Sequence, residues 1–104
     1  MFSFIKNLLG IGPKTDYAAL LRQGAMIIDV RTPEEYRNGH LPRSVNIPLD
    51  TLKRRLGDLE KDRRIIACCA SGMRSGLAKR ILRSHGFREV YNGGSWTNLK
   101  SLIH

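Results

Sequence analysis

The segment Arg64-Ile65-Ile66-Ala67-Cys68-Cys69-Ala70-Ser71-Gly72-Met73-Arg74-Ser75 changes its periodicity midway. Its first five residues read as a strand, the four after Arg64 forming an apolar run with two β-branched isoleucines of the kind that fills a buried parallel strand. Cys69 leaves that strand, Ser71-Gly72 turns the chain, and Arg74 and Ser75 start a helix. Leu77, Ala78, Ile81 and Leu82 then recur at helical spacing, and Gly86 is the expected stop. A strand that turns directly into a helix is the building unit of an α/β domain.

The flanking sequence repeats the unit. Ala25–Val30 reads as a strand, preceded by a helix over Tyr17–Arg22 that Thr15 or Asp16 can cap and Gly24 stops. Thr32-Pro33-Glu34-Glu35 has the form of a helix start, with a cap, a proline in the first turn and acids after it, and Gly39 keeps that helix brief. Ser44–Ile47, bounded by Pro42 and Pro48, is the next strand. Leu49, Leu52, Leu56 and Leu59 predict a helix with Lys53, Arg54 and Arg55 outside. Glu89–Asn92 is the last strand, and Gly93-Gly94 reads as a sharp turn into a short helix holding Trp96, Leu99 and Leu102. This alternation predicts an α/β domain with a mainly parallel sheet and right-handed crossovers.

Composition agrees with one globular domain: 104 residues, 41% hydrophobic and 26% charged. Residues 14–104 form that domain, and residues 1–13 are expected to be a short amphipathic segment packing on it. The apolar N-terminal stretch is too short to span a bilayer and lacks the basic region and cleavage site of a signal peptide. The net charge of +9, from 18 Lys and Arg against 9 Asp and Glu, favours anions and acidic protein partners. No zinc-finger spacing, RNP-like motif or long basic run points to nucleic acid. His40, His85 and His104 form no metal-ligand pattern with the cysteines, so neither a metal nor a cofactor is expected. Cys68 and Cys69 are neighbours, for which a structural disulfide is strained, and two free thiols suit a reducing compartment, here the cytoplasm. No heptad or exposed stripe demands more than a monomer.

In open α/β sheets, ligands sit beyond the carboxyl ends of the strands. Asp29-Val30-Arg31, the Cys69 loop and Gly93-Gly94 fall there. The loop joins a nucleophile to an anion cradle. A helix start exposes unpaired N–H groups at the positive end of the dipole, Gly72 permits the left-handed backbone that a ring of amides needs, and Arg74 adds a charged fork. The same field favours thiolate over thiol, lowering a cysteine from its usual ~8.5. Strand alternation turns Cys68 away from Cys69, into the core.

Cys69-Ala-Ser-Gly-Met-Arg-Ser75 resembles the active-site loop of single-domain rhodaneses, the thiosulfate sulfurtransferases. Ile27-Ile-Asp-Val-Arg31 with Pro33-Glu-Glu-Tyr36 resembles that family's first signature, Gly39-His-Leu-Pro42 with Asn46-Ile-Pro48 its second, and Val90-Tyr-Asn-Gly-Gly94 with Trp96 its closing segment. Together they cover roughly residues 14–100, in order. The sequence departs from the family at Arg43, where a small residue is common, and at Met73, often polar.

The resemblance implies a rhodanese-like α/β domain, with a mainly parallel central sheet of four to five strands and helices on both faces. It implies that Cys69 takes sulfane sulfur from a thiosulfate-like anion as a persulfide and passes it to a thiol or cyanide acceptor. Ala70, Ser71, Gly72, Met73 and Arg74 would be the anion-binding loop; Asp29 and Arg31 would hold the neighbouring loops; His40 would border the site or be structural. Other readings stay open: a persulfide carrier serving a protein partner, a binding module without turnover, or a cysteine phosphatase. The last needs the longer Cys-x5-Arg spacing, which Cys68 to Arg74 provides. Ala67 stands where that motif usually has His.

Overall fold

The structure is a computed structural model and describes residues 15–103. The segment expected at residues 1–13 lies outside them. Four strands form one sheet: β1 (Met26–Asp29), β2 (Val45–Asn46), β3 (Ile65–Cys69) and β4 (Val90–Ser95). Their order is β2-β1-β3-β4, and every neighbouring pair is parallel. Helix α1 (Tyr17–Arg22) precedes β1, helices α2 (Pro33–Arg37), α3 (Leu52–Arg55) and α4 (Met73–Ser84) lie in the connections, and α5 (Trp96–Leu102) follows β4.

The sheet divides the core in two. Ile28, Ile65, Ala67 and Cys69 pack with Leu52, Ala78 and Leu82 on the α3–α4 side. Ile27, Ile66 and Cys68 pack with Leu99 and the half-buried Leu20 and Leu21 on the α1–α5 side. Alternation along β3 therefore sends the adjacent cysteines into opposite layers. Every residue of β3 is buried, as expected of a central parallel strand. Fully burying each of its isoleucines contributes roughly 1.5–3 kcal/mol.

Local signals set the helix starts. Asp16 caps α1 by accepting from the Ala19 amide. Thr32 and Glu35 form a reciprocal capping box on α2, with Pro33 in the first turn. Ser95 caps α5.

Four expectations need correction. The helix expected over Leu49–Leu59 is a 3₁₀ turn (Leu49–Thr51), the one-turn α3 and a second 3₁₀ turn (Leu56–Asp58). The i,i+3 spacings Leu49/Leu52 and Leu56/Leu59 suit the tighter helix as well as the α-form. β3 runs one residue further, through Cys69. Gly93-Gly94 is not a turn but part of β4: Asn92 pairs with Ala67 and Gly94 with Cys68, so Gly93 is the extra residue of a bulge. A Cβ on Gly93 would stand 2.9 Å from Ile66 and 3.1 Å from Leu99, which leaves room only for glycine. Finally, Leu77 and Leu102 lie outside the core, 46% and 52% exposed; the buried stripe of α4 is Ser75, Ala78 and Leu82.

Candidate active site

Cys69 ends β3 and is completely buried. Gly72, with φ 102°, precedes α4, and its amide donates to Cys69 Sγ at 3.0 Å. The Ser75 amide donates to the same sulfur at 3.3 Å, and Ser75 Oγ lies 3.4 Å away. Burial pushes the Cys69 thiol up. The Ser75 hydroxyl and amide, then the Gly72 and Ser71 amides, outweigh it and leave the pKa below its ordinary value. The positive end of the twelve-residue α4 acts in the same direction.

Cys68 occupies the opposite environment. Burial, and secondly the Asp29 carboxylate, push its thiol up to about 12. The loop amides that reach a cysteine sulfur reach Cys69 and not Cys68.

Gly72 has a second constraint. A Cβ there would meet the Gly94 backbone at 3.3 Å, so the loop lies against the β4 bulge. Asn92 joins the two elements. Its Nδ2 donates to the Gly72 carbonyl at 3.1 Å, while its Oδ1 accepts from the Gly94 amide at 3.0 Å and from Ser75 Oγ at 2.6 Å. Ser75 has one hydroxyl proton and two acceptors within reach, Asn92 Oδ1 and Cys69 Sγ. Ser75 Oγ donates to Asn92 Oδ1, while at its 3.4 Å contact with Cys69 Sγ either atom can be the donor: S–H from a thiol, or O–H toward a thiolate.

Arg74 occupies the first turn of α4, but its fork is engaged. Nη1 donates to Glu35 Oε1 at 2.7 Å and Nη2 to Oε2 at 3.0 Å. Of the remaining loop residues, Ala70 and Ser71 are exposed and Met73 is 79% exposed, so the loop's outer surface is open. A cavity of about 430 Å³, lined by Val30, Pro33, Pro48, Leu49 and Arg74 among others, borders the loop through Arg74. A second, of about 360 Å³, is lined by residues such as Leu21, Ile27 and Arg43 and includes none from the loop. Cys69, on which the loop's hydrogen bonds converge, lines neither of these two cavities.

Asp29 and Arg31 sit beside the loop as a buried pair, 2.8 Å apart. Arg31 also donates to the Glu35 carbonyl at 3.3 Å and the Gly39 carbonyl at 2.7 Å, and its guanidinium lies 4.8 Å over the Trp96 ring. Hydrogen bonding to Asp29 raises the Arg31 pKa further. Asn46 Nδ2 donates to the Asp29 and Arg31 carbonyls, both at 2.9 Å. The pair thus ties the end of β1 to α2, β2 and α5. His40 stacks on Tyr36 at 3.7 Å and donates from Nδ1 to the Tyr36 carbonyl at 2.7 Å; none of its hydrogen bonds reaches the loop.

Sequence reasoning missed Glu35, Ser75 and Asn92 as parts of this site. The Thr32-x-x-Glu35 spacing signals the capping box but not the pairing with Arg74, 39 positions away. Asn92 pairs with Ala67 just before the bulge, a register that brings it to Gly72 and Ser75 and that local sequence does not signal. Among the described residues, no group of three or more His, Cys, Asp or Glu gathers as a metal site would, and no helix is long and apolar enough to cross a membrane.

The described residues thus form a parallel α/β sheet with a buried cysteine under an amide-lined strand-to-helix loop. Residues 14–101 match the Rhodanese-like domain, and the chain belongs to that family. It is similar to the thiosulfate sulfurtransferase PspE of Escherichia coli, 39% identical over 69 residues that span 64% of this chain and 66% of that protein. It is also similar to the putative sulfur carrier protein YrkF of Bacillus subtilis, 41% identical over 66 residues, 64% of this chain and 36% of that one. The chain thus spans less than two thirds of either relative's length. A solved rhodanese with anions from E. coli superposes with a TM-score of 0.68 at 35% identity, covering 72% of this chain and 91% of that one.

Proposed function

We propose that this protein is a sulfurtransferase that carries sulfane sulfur as a Cys69 persulfide. The observation that supports this most directly is the pair of amides, Gly72 and Ser75, aimed at Cys69 Sγ at the start of α4. They lower the cost of a negative sulfur before transfer and as a leaving group.

The reaction has two displacements. The Cys69 thiolate attacks the outer sulfur of thiosulfate; the S–S bond of the donor breaks, and sulfite leaves with its electron pair. Cys69 then holds a persulfide anion. Cyanide or a thiolate attacks the outer sulfur of that persulfide, and the electron pair of the broken S–S bond returns to the Cys69 thiolate. No external oxidant or reductant is consumed. A persulfide adds a sulfur about 2.05 Å beyond Sγ, which extends the reactive atom from its buried base toward the open loop. The loop of Ala70, Ser71, Gly72, Met73 and Arg74 binds the anionic donor, and Asp29 and Arg31 position it without touching substrate.

The protein works in a reducing compartment, the cytoplasm, where both cysteines stay free. Delivery of the sulfur to a protein is the second reading; the relative named as a putative sulfur carrier favours it. The opposed burial of Cys68 and Cys69 disfavours the longer phosphatase loop.

Mass spectrometry after thiosulfate treatment tests the reading. One added sulfur on Cys69, lost on adding cyanide, is expected; Cys69→Ser abolishes it and Cys68→Ser keeps it. An intact mass without added sulfur, or loss on Cys68→Ser alone, overturns the assignment.

A further inference from the structure

The exposed face of α4 carries chemistry that the loop does not use. Met73, Leu77, Arg80 and Ser84 follow one another at i, i+4, i+7 and i+11, one side of a helix, and all are exposed. Met73 and Leu77 are large apolar residues at 79% and 46% exposure, and Met73 belongs to the loop over Cys69 itself. Arg80 stands two turns on, about 10 Å along the axis, with the exposed Arg83 beside it. The helix sequence, Met-Arg-Ser-Gly-Leu-Ala-Lys-Arg-Ile-Leu-Arg-Ser, contains no acid. Arg74 is paired with Glu35, whereas Lys79, Arg80 and Arg83 make no ion pair among the described residues. A two-residue apolar step at the mouth of the site thus leads onto a cationic ramp.

We infer that this face docks the sulfur acceptor, an acidic polypeptide that brings a thiol to Cys69 with an apolar side chain beside it and carboxylates further along. The inference rests on the sulfurtransferase reading above and names its partner. The apolar step covers Met73 and Leu77, and Arg80 and Arg83 select the charge. In transfer, the partner's thiolate bonds to the outer sulfur of the Cys69 persulfide anion. The S–S bond to Cys69 breaks, its electron pair remains as the Cys69 thiolate, and the partner carries the sulfur away as its own persulfide anion.

Two synthetic peptides test this, each with one cysteine next to a leucine, one carrying four glutamates and the other four lysines in their place. The rate constant for sulfur transfer from the persulfide-loaded full chain is measured for both, together with thiosulfate–cyanide turnover. The acidic peptide is expected to react about tenfold faster at low salt, a preference that shrinks as ionic strength rises past about 0.15 M. The double variant Arg80→Glu, Arg83→Glu removes the preference and keeps the kcat for cyanide within about twofold. Leu77→Ser slows the acidic peptide at every salt concentration and leaves cyanide turnover intact. Equal rates for the two peptides, or a preference that survives the double reversal, overturn the docking face while cyanide turnover leaves the sulfurtransferase reading standing. Failure to form any Cys69 persulfide overturns both.

Discussion

Glu35 holds Arg74 with both carboxylate oxygens, at 2.7 and 3.0 Å, while the same carboxylate caps its own helix through Thr32. The cation of the Cys69 loop is therefore neutralised from α2, a different element. What positive potential the loop retains then rests mainly on its backbone amides.

This pairing makes a pH prediction. The Arg74 hydrogen bonds, followed by the Thr32 amide, lower the Glu35 pKa to about 2. A lowered carboxylate contributes stability above its unfolded value, about 4.3, and loses it as pH falls through the folded value. Stability of the wild type and Glu35→Gln is expected to differ at pH 6 and to converge as the pH approaches 2. The pair is about one-third exposed, so the gap at pH 6 is small, about 1 kcal/mol or less. In the transfer assay Glu35→Gln frees the Arg74 fork and lowers the KM for thiosulfate about two- to fivefold, the worth of such a charge. An unchanged KM would show that Arg74 does not reach the donor.

Ser75 favours the charged form of the Cys69 sulfur. Ser75→Ala removes the hydroxyl that contributes most to holding the Cys69 thiolate. Thiolate absorbance at 240 nm, followed against pH in a Cys68→Ala background, is expected to rise at a midpoint below that of an ordinary cysteine, about 8.5. Ser75→Ala moves that midpoint upward and costs more activity at pH 6 than at pH 9. By the same sign, thiolate stabilisation of the fold is present above about 8.5 and is lost as pH falls through the folded pKa. A midpoint that does not move would remove Ser75 from this role.

The Asp29–Arg31 pair supports the walls of the site. Arg31→Met leaves the Asp29 carboxylate buried without its cation, and the expected loss is about 3–5 kcal/mol. Arg31→Lys keeps the charge but cannot span Asp29 and the Glu35 and Gly39 carbonyls at once, so it falls between the two. Urea unfolding midpoints give the order wild type, Lys, Met; an Arg31→Lys variant as stable as wild type would contradict it.

Arg43 is the non-glycine residue with positive φ among the described residues, at 70°. Its side chain thus sits on backbone that favours glycine. A left-handed conformation costs a side chain roughly 1–2 kcal/mol, so Arg43→Gly is expected to stabilise by about 1 kcal/mol, part of the gain being offset by glycine's unfolded-state entropy. Thermal melting gives the sign, and a lower Tm would refute the explanation.

The sequence by itself determined the strand-to-helix unit around Cys69, the parallel α/β class, the cap at Thr32, a first-helix cap at Thr15 or Asp16, and the core role of Cys68. These follow from neighbours within a few positions: β-branched runs, cap spacings and strand alternation act locally, before any distant segment arrives. Only the tertiary structure decided that Arg74 pairs with Glu35 and that Asn92 ties Gly72 and Ser75 to β4. It also decided that Gly93 makes a bulge instead of a turn, and that Leu77 faces outward. Each depends on which residue a parallel sheet and its packed helices bring opposite it, with charge, volume and hydrogen-bond capacity satisfied across dozens of positions. Local periodicity carries no record of those partners.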